Sequence, residues 1–287
     1  MKIYAIRKSY HEKVCDNILS INDSNGKKYP NFSDISSRAS INIGFKIIEL
    51  LGFPVREARK SEQTVGDLFE NYTKEFIENC FELLTHIRPG SWIYSTYQTE
   101  ISRFEQYEHL ADIEKKIKGD KELTTALGRD YLVKPDIIVA RYPIDNSLIN
   151  AREILLEQED TVSRLTPLRK ENSPNSERKI LHASISCKWT IRSDRSQNTR
   201  TEALNLIRNR KGNLPHVVAV TAEPLPTRIA TLALGTGDLD CVYHFALPEL
   251  QEAVNILQNE DQKDILNIMV RGKRLRDISD LPFDLAI

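Results

Sequence analysis

The segment His216–Ala222, HVVAVTA, constrains the fold of this chain more than any other. Its apolar residues run on without alternation, as in a strand covered on both faces. Such strands belong to parallel sheets packed between helices. Other segments fit the same sheet. Tyr131–Arg141 (YLVKPDIIVAR) is predicted as a strand with a buried half, IIVA, and Asp136 near its middle. Ile180–Trp189 (ILHASISCKW) alternates with period two, and Trp92–Thr99 and Asp240–Phe245 (DCVYHF) complete the strand set. Between them lie helical patterns: Ser40–Leu51, Thr64–Ile87 ended by Pro89-Gly90, Glu100–Leu127 as a charged outer layer, basic Arg195–Lys211, and Glu249–Met269. The order predicts an α/β fold, a central mixed β-sheet flanked by helices. Residues 1–35 are polar and turn-rich and read as an irregular arm, and 142–180 reads as irregular too.

At 287 residues the chain can bury a full core without staples, and it reads as a single domain, 1–287, with its core at 131–245. Lys+Arg number 40 against 41 Asp+Glu, so any surface for a polyanion must be local. No apolar run approaches the roughly 18 residues of a membrane span. MKIYAIRKSYHEK has no apolar stretch of a secretory signal. Cys15, Cys80, Cys187 and Cys241 lie far apart, which predicts reduced thiols in a cytoplasmic protein rather than a zinc site. Gly235-Thr236-Gly237 lacks the GK[ST] of a phosphate loop and reads as a turn, so no nucleotide cofactor is expected.

Three ionisable residues carry the chemistry. Asp136 follows Pro135, Lys188 ends the strand SISCK, and Glu202 lies beyond it with thirteen residues between. A carboxylate and a lysine on adjacent strand ends meet at one sheet edge. There the carboxylate can hold a hard divalent cation through oxygen. The cation activates water and neutralises phosphoryl charge, and the lysine orients that water or offsets developing charge. This pattern also arises by chance, with Asp136 ending its strand and Lys188 a surface lysine.

The following residues add a second signal. Lys188–Lys211 carries seven Lys/Arg against two acids, a local excess suited to phosphates. Within it, Arg192, Asp194 and Arg195 have base-reading chemistry: arginine binds guanine O6 and N7, and aspartate accepts from cytosine N4. A solvated helix start with Asp194 near the dipole is the other reading.

The strings LHASISCKWTIRSDRSQNTR, NLIRNRKGNLPHVVAVTAEPLPTRI, GTGDLDCVYHFALPEL and GKRLRDISDLPFDLAI resemble the type II restriction endonucleases that read a CCGG core, within the PD-(D/E)xK superfamily. The resemblance is dense from about residue 180 onward and patchier from about 30 to 142. It implies a restriction-endonuclease-like core and Mg²⁺-dependent hydrolysis of double-stranded DNA. It also implies a homotetramer, two dimers back to back. Asp136 and the main-chain carbonyl of Cys187 would hold the metal. Lys188 would activate or position water, Glu202 would complete the site, and Glu70, in QTVGDLFE, matches a further carboxylate. Ser186, two residues before the lysine, cannot stand in for a carboxylate, so Glu202 fits that role. Arg192, Asp194 and Arg195 would read the inner CCGG, and Asp34, Ser36, Gln63 and Arg228 the outer pair. The implied site is GCCGGC, cut after the first G to leave a four-base 5′ overhang. The competing reading is a protein of this fold that binds DNA specifically without cutting it.

Overall fold

The computed structural model describes residues 2–55, 61–97, 100–131, 133–157, 162–170, 178–235 and 237–287; the side chains of Glu62, 128–131 and 193–196 also lie outside the description. Six strands build one sheet: β3 (Trp92–Ser95), β4 (Ile137–Arg141), β5 (Ile180–Lys188), β6 (His216–Thr221), β7 (Cys241–His244) and β8 (Leu275–Asp277). They lie in that order across the sheet. β3, β4 and β5 pair antiparallel, whereas β5 through β8 pair parallel. The sheet is therefore mixed, and β5 is the strand at which direction changes. Val217–Val220 of β6 are all buried, as the unbroken apolar run requires.

Before the sheet come α1 (Ile3–Asn17), a hairpin of β1 (Ile21–Ser24) and β2 (Lys27–Pro30), α2 (Arg38–Leu51) and α3 (Glu62–Phe81). Further along lie α4 (Ala111–Gly119), α5 (Lys121–Tyr131), α6 (Asn146–Ile149), α7 (Ser193–Asn209), α8 (Pro226–Ala233), α9 (Leu247–Ile256), α10 (Glu260–Arg271) and α11 (Leu281–Asp284). Side-chain alternation along β5 decides what faces what. The Cys187 thiol sits beside Thr73 of α3. The Ser186 hydroxyl lies 3.5 Å from that of Thr199 on α7. α3 and α7 thus cover opposite faces of the strand. One continuous core runs from Ile6 to Leu285.

The structure corrects several expectations. Residues 1–35 are not an irregular arm. α1 buries Ile6, Tyr10, His11, Val14 and Cys15, a helical stripe diluted by the charges around it. The turn-rich stretch after it is a hairpin. Asn25 and Gly26 hold φ of 54° and 81°, the left-handed pair that a two-residue primed turn demands. Asp136 precedes β4 rather than sitting mid-strand, because α5 runs on to Tyr131 and Pro135 interrupts the chain. The 100–127 segment is not merely a solvated layer, since Ile101, Phe104, Tyr107, Leu110 and Ile117 are buried. The helix expected over 249–269 is two, divided where Gln258 takes φ 50° and Asn259 caps α10 by accepting the Gln262 N–H. β3 and β8 carry the sheet beyond 131–245 at both ends. No helix among the described residues is long and apolar enough to cross a membrane.

Arg7 fastens α1 to the C-terminal part. Its guanidinium makes two bidentate pairs, to Glu249 at 2.7–2.9 Å and to Asp277 at 2.8–2.9 Å. Asp277 also receives the Leu247 N–H. Burial opposes both carboxyls' charge, yet the Arg7 contacts hold each below its ordinary value. Removing the cation would strand two largely buried anions. Arg7→Ala is therefore expected to cost about 3–5 kcal/mol. Urea unfolding should show a lower midpoint at unchanged slope.

Candidate active site

At the open end of β5 the ladder runs out. β4 begins at Ile137, paired with Ile185, so Ser186, Cys187 and Lys188 extend past it. Asp136 fills the gap. Its Oδ2 accepts the Cys187 N–H at 2.8 Å, the Lys188 ammonium at 2.8 Å and the Ser186 hydroxyl at 3.3 Å. A side-chain carboxylate thus takes a hydrogen bond that a further β4 residue would have made. Antiparallel pairing brings the start of β4 and the end of β5 to one edge, as sequence reasoning anticipated.

Two glutamates face this pair. Glu202 projects from α7 and Glu70 from α3, so each comes from a different layer. Burial raises the Glu70 carboxyl to about 7, and Asp136 adds to the rise against the opposing pull of Lys188. Burial likewise raises Glu202, with Asp136 adding to it and Lys188 opposing. Burial works against the Lys188 ammonium, but Asp136 and then Glu202 raise it overall, so it stays protonated. Cys187 is buried and its thiol is pushed well above the ordinary value by burial, so that group is inert at neutral pH.

Aromatic packing sets this edge. Trp189 follows Lys188 and packs edge-on against Phe69, the neighbour of Glu70, at 5.2 Å between ring centres. It also meets Phe32, near Asp34, at 5.8 Å and Phe245, after β7, at 6.2 Å. Four separate segments are thereby locked around this sheet edge.

A cleft of about 750 Å³ opens here, lined by Glu70, Lys188 and Glu202 and also by Asp34, Gln63, Arg192 and Arg228. Three of the residues singled out for chemistry and four of those singled out for base reading therefore share one opening, while Asp136 lies behind Lys188 against a small adjoining cavity that Glu202 also lines. Asp34 lies in the loop before α2. Its carboxylate accepts the N–H and hydroxyl of Ser36 at 2.9 and 2.7 Å and ion-pairs with Arg228 of α8. The Ser36 bonds, with Arg228 behind them, keep Asp34 below its usual range. Ser36 does not line the cleft; it orients Asp34. Gln63 donates to Asp67 one turn along α3 at 2.8 Å. Arg192 is exposed at the N-cap of α7. Asp194 and Arg195 fall in the first turn of α7, but their side chains lie outside the described residues. The basic stretch is not wholly available to a ligand, because Arg200 is committed to buried Asp238 at 2.5 Å.

Sequence reading missed the hairpin wall: Asn22, Tyr29 and Asn31 line the cleft, and Asn25-Gly26 was the signal that could have found it. It also missed Glu223, a fully buried carboxylate beside the loops that lead into α7 and α8. Among the described residues no three His, Cys, Asp or Glu side chains gather as a metal-ligand cluster.

The NgoMIV restriction enzyme family model matches residues 10–287. The chain is 48% identical to the type II restriction enzyme NgoMIV of Neisseria gonorrhoeae over 286 residues, 98% of this chain and 97% of that protein. Among solved structures it is similar to the type IIF restriction endonuclease Bse634I with cognate DNA (12% identity, TM-score 0.32, covering 95% of this chain and 99% of that one). A second Bse634I structure gives 13% identity and a TM-score of 0.31, covering 86% and 98%.

Because Glu70 is raised to about 7 in the folded protein, its ionisation costs stability as pH rises from its unfolded value near 4.5 through 7. Glu70→Gln removes that cost. Its gain in urea midpoint over the wild type, with chelator present, is expected to be small at pH 4 and larger at pH 8. A gain independent of pH would contradict the electrostatic account.

Proposed function

The chain belongs to the NgoMIV restriction enzyme family of type II restriction endonucleases, and on that premise we propose that it hydrolyses double-stranded DNA at GCCGGC after the first G, using Mg²⁺. The observation that carries this reading is the 2.8 Å pair of Asp136 and Lys188, whose lysine lines a cleft shared with Asp34, Arg192 and Arg228.

The donor set fits a divalent cation. A strand residue sends its N–H and C=O to the same side. The Cys187 carbonyl therefore leaves β5 on the side where its N–H meets Asp136. One carboxylate and one main-chain oxygen, with water for the rest, suit Mg²⁺, which keeps several waters. The repulsion of Asp136 with Glu70 and with Glu202 is what a divalent cation relieves. When bound, the ion supplies Lewis acidity and a more acidic water.

Lys188 remains an ammonium, so its role is to orient the attacking water and offset charge on the phosphoryl oxygen. Glu70, near 7, is suited to take the water's proton at neutral pH. Glu202 completes the negative wall from α7. Arg192, Asp194 and Arg195 read the inner CCGG, and Asp34 with Arg228 reads one outer G·C pair, the acid on cytosine and the arginine on guanine. Ser36 acts through Asp34, and Gln63 reaches an outer edge. A palindrome presents the same sequence on both strands, which calls for a two-fold assembly, and the reading here is a homotetramer of two dimers. The four free, buried cysteines fit a reducing bacterial cytoplasm.

Digestion of a sequenced plasmid with Mg²⁺, followed by sequencing of the ends, tests the reading. Cuts confined to GCCGGC with 5′-CCGG overhangs are expected. Another CCGG hexamer would overturn the outer readers, and specific retardation without cutting would favour the binding-only alternative. Asp136→Ala is expected to abolish cleavage while keeping specific binding in Ca²⁺. Cys187→Ser should retain activity, since only the backbone of that residue is invoked.

A further inference from the structure

Glu223 belongs to no element of the catalytic edge, yet it is fully buried and its carboxylate is spoken for at both oxygens. Oε2 accepts the Ile191 N–H at 2.9 Å, and Oε1 accepts the Leu225 N–H at 3.2 Å. Its own backbone is held as well. The Glu223 N–H donates to the Thr221 hydroxyl at 3.1 Å, at the end of β6. The Glu223 carbonyl lies 3.2 Å from His244 Nε2. His244 is fully buried and burial lowers it to about 4, so the ring is neutral. Its Nδ1 accepts the Ala246 N–H at 3.1 Å, which leaves Nε2 as the protonated nitrogen that donates to Glu223.

The two recipients are what matter. Ile191 immediately precedes Arg192, the N-cap of α7. Leu225 is the N-cap of α8, and Arg228 lies in that helix's first turn, paired with Asp34. One carboxylate thus bridges the backbone of the loop that carries an inner reader and the backbone of the loop that carries an outer reader. Both readers line the same cleft. A buried carboxylate is a costly way to satisfy two amides unless their relative placement is what it secures.

We infer that Glu223 is a positioning residue for specificity, setting the distance between the inner-reading and outer-reading elements; this rests on the base-reading assignment proposed above.

Glu223→Gln tests it with almost no change of volume. The amide keeps one acceptor and turns an N–H₂ toward the other backbone N–H, so one of the two bonds is lost. The readout is the ratio of kcat/KM for the cognate hexamer to that for hexamers changed only at the outer or only at the inner pair. The same ratios are taken for binding in Ca²⁺. The expected result is a loss of about tenfold or more at both positions, whereas Arg228→Ala loses discrimination at the outer pair alone. A merely destabilised enzyme would cut all sites less and leave the ratios unchanged. A folded Glu223→Gln enzyme with wild-type ratios overturns the inference. The ratios are taken at whichever palindrome the wild type prefers, so a wrong hexamer overturns the site reading separately. Amide exchange in the wild type needs no variant. Changing only the outer base pair of a bound oligonucleotide should alter exchange at Ile191 as well as Leu225. A response at Leu225 alone overturns the coupling even if Glu223→Gln fails to fold.

Discussion

The working edge of this protein depends on one strand having neighbours that run in opposite directions. β5 is antiparallel to β4 and parallel to β6. Because of the first pairing, the start of β4 lies beside the end of β5, which is how Asp136 reaches Lys188. Because of the second, the ends of β5 and β6 emerge together, and the connections that follow them carry Arg192 and Arg228. An all-parallel sheet would place Asp136 at the far edge from Lys188. An all-antiparallel one would separate the two loops.

The edge is also a place where stability has been given up. Asp136 and Lys188 stand between two half-buried glutamates, Glu70 and Glu202, each raised by burial and by Asp136. Nothing in the fold requires that crowding. The aromatic lock of Trp189, Phe69, Phe32 and Phe245 holds the segments in place against it. A concentration of unfavourable charge held by rigid apolar packing is characteristic of a functional site.

Most of the sheet was legible in the residues. IIVA, SISCK and HVVAV announce buried strands through period and composition, and the Asp136–Lys188 meeting follows from strand ends alone. What escaped is equally physical. α1 has a narrow buried stripe set among polar residues, so its helical signal is diluted, and its stability comes from tertiary contacts such as the Arg7 clamp. The β1–β2 hairpin was hidden by reading Asn-Gly as mere turn. β8 is three residues long and gives no period. The Glu223 bridge is invisible in sequence because its partners are backbone amides, which every residue possesses.

If Asp34 and Arg228 read a base pair as proposed, their ion pair has a consequence for how a sequence is chosen. In the free protein these two groups already satisfy each other. A base that engages either one must first take it from its partner, so recognition at that position is an exchange between bonds and not a simple addition. A base pair offering both a donor and an acceptor in register replaces what is lost; one offering only half leaves a charge stranded in the cleft. Selectivity then comes from the competitor the protein supplies to itself, and it operates before any phosphodiester is placed for cutting.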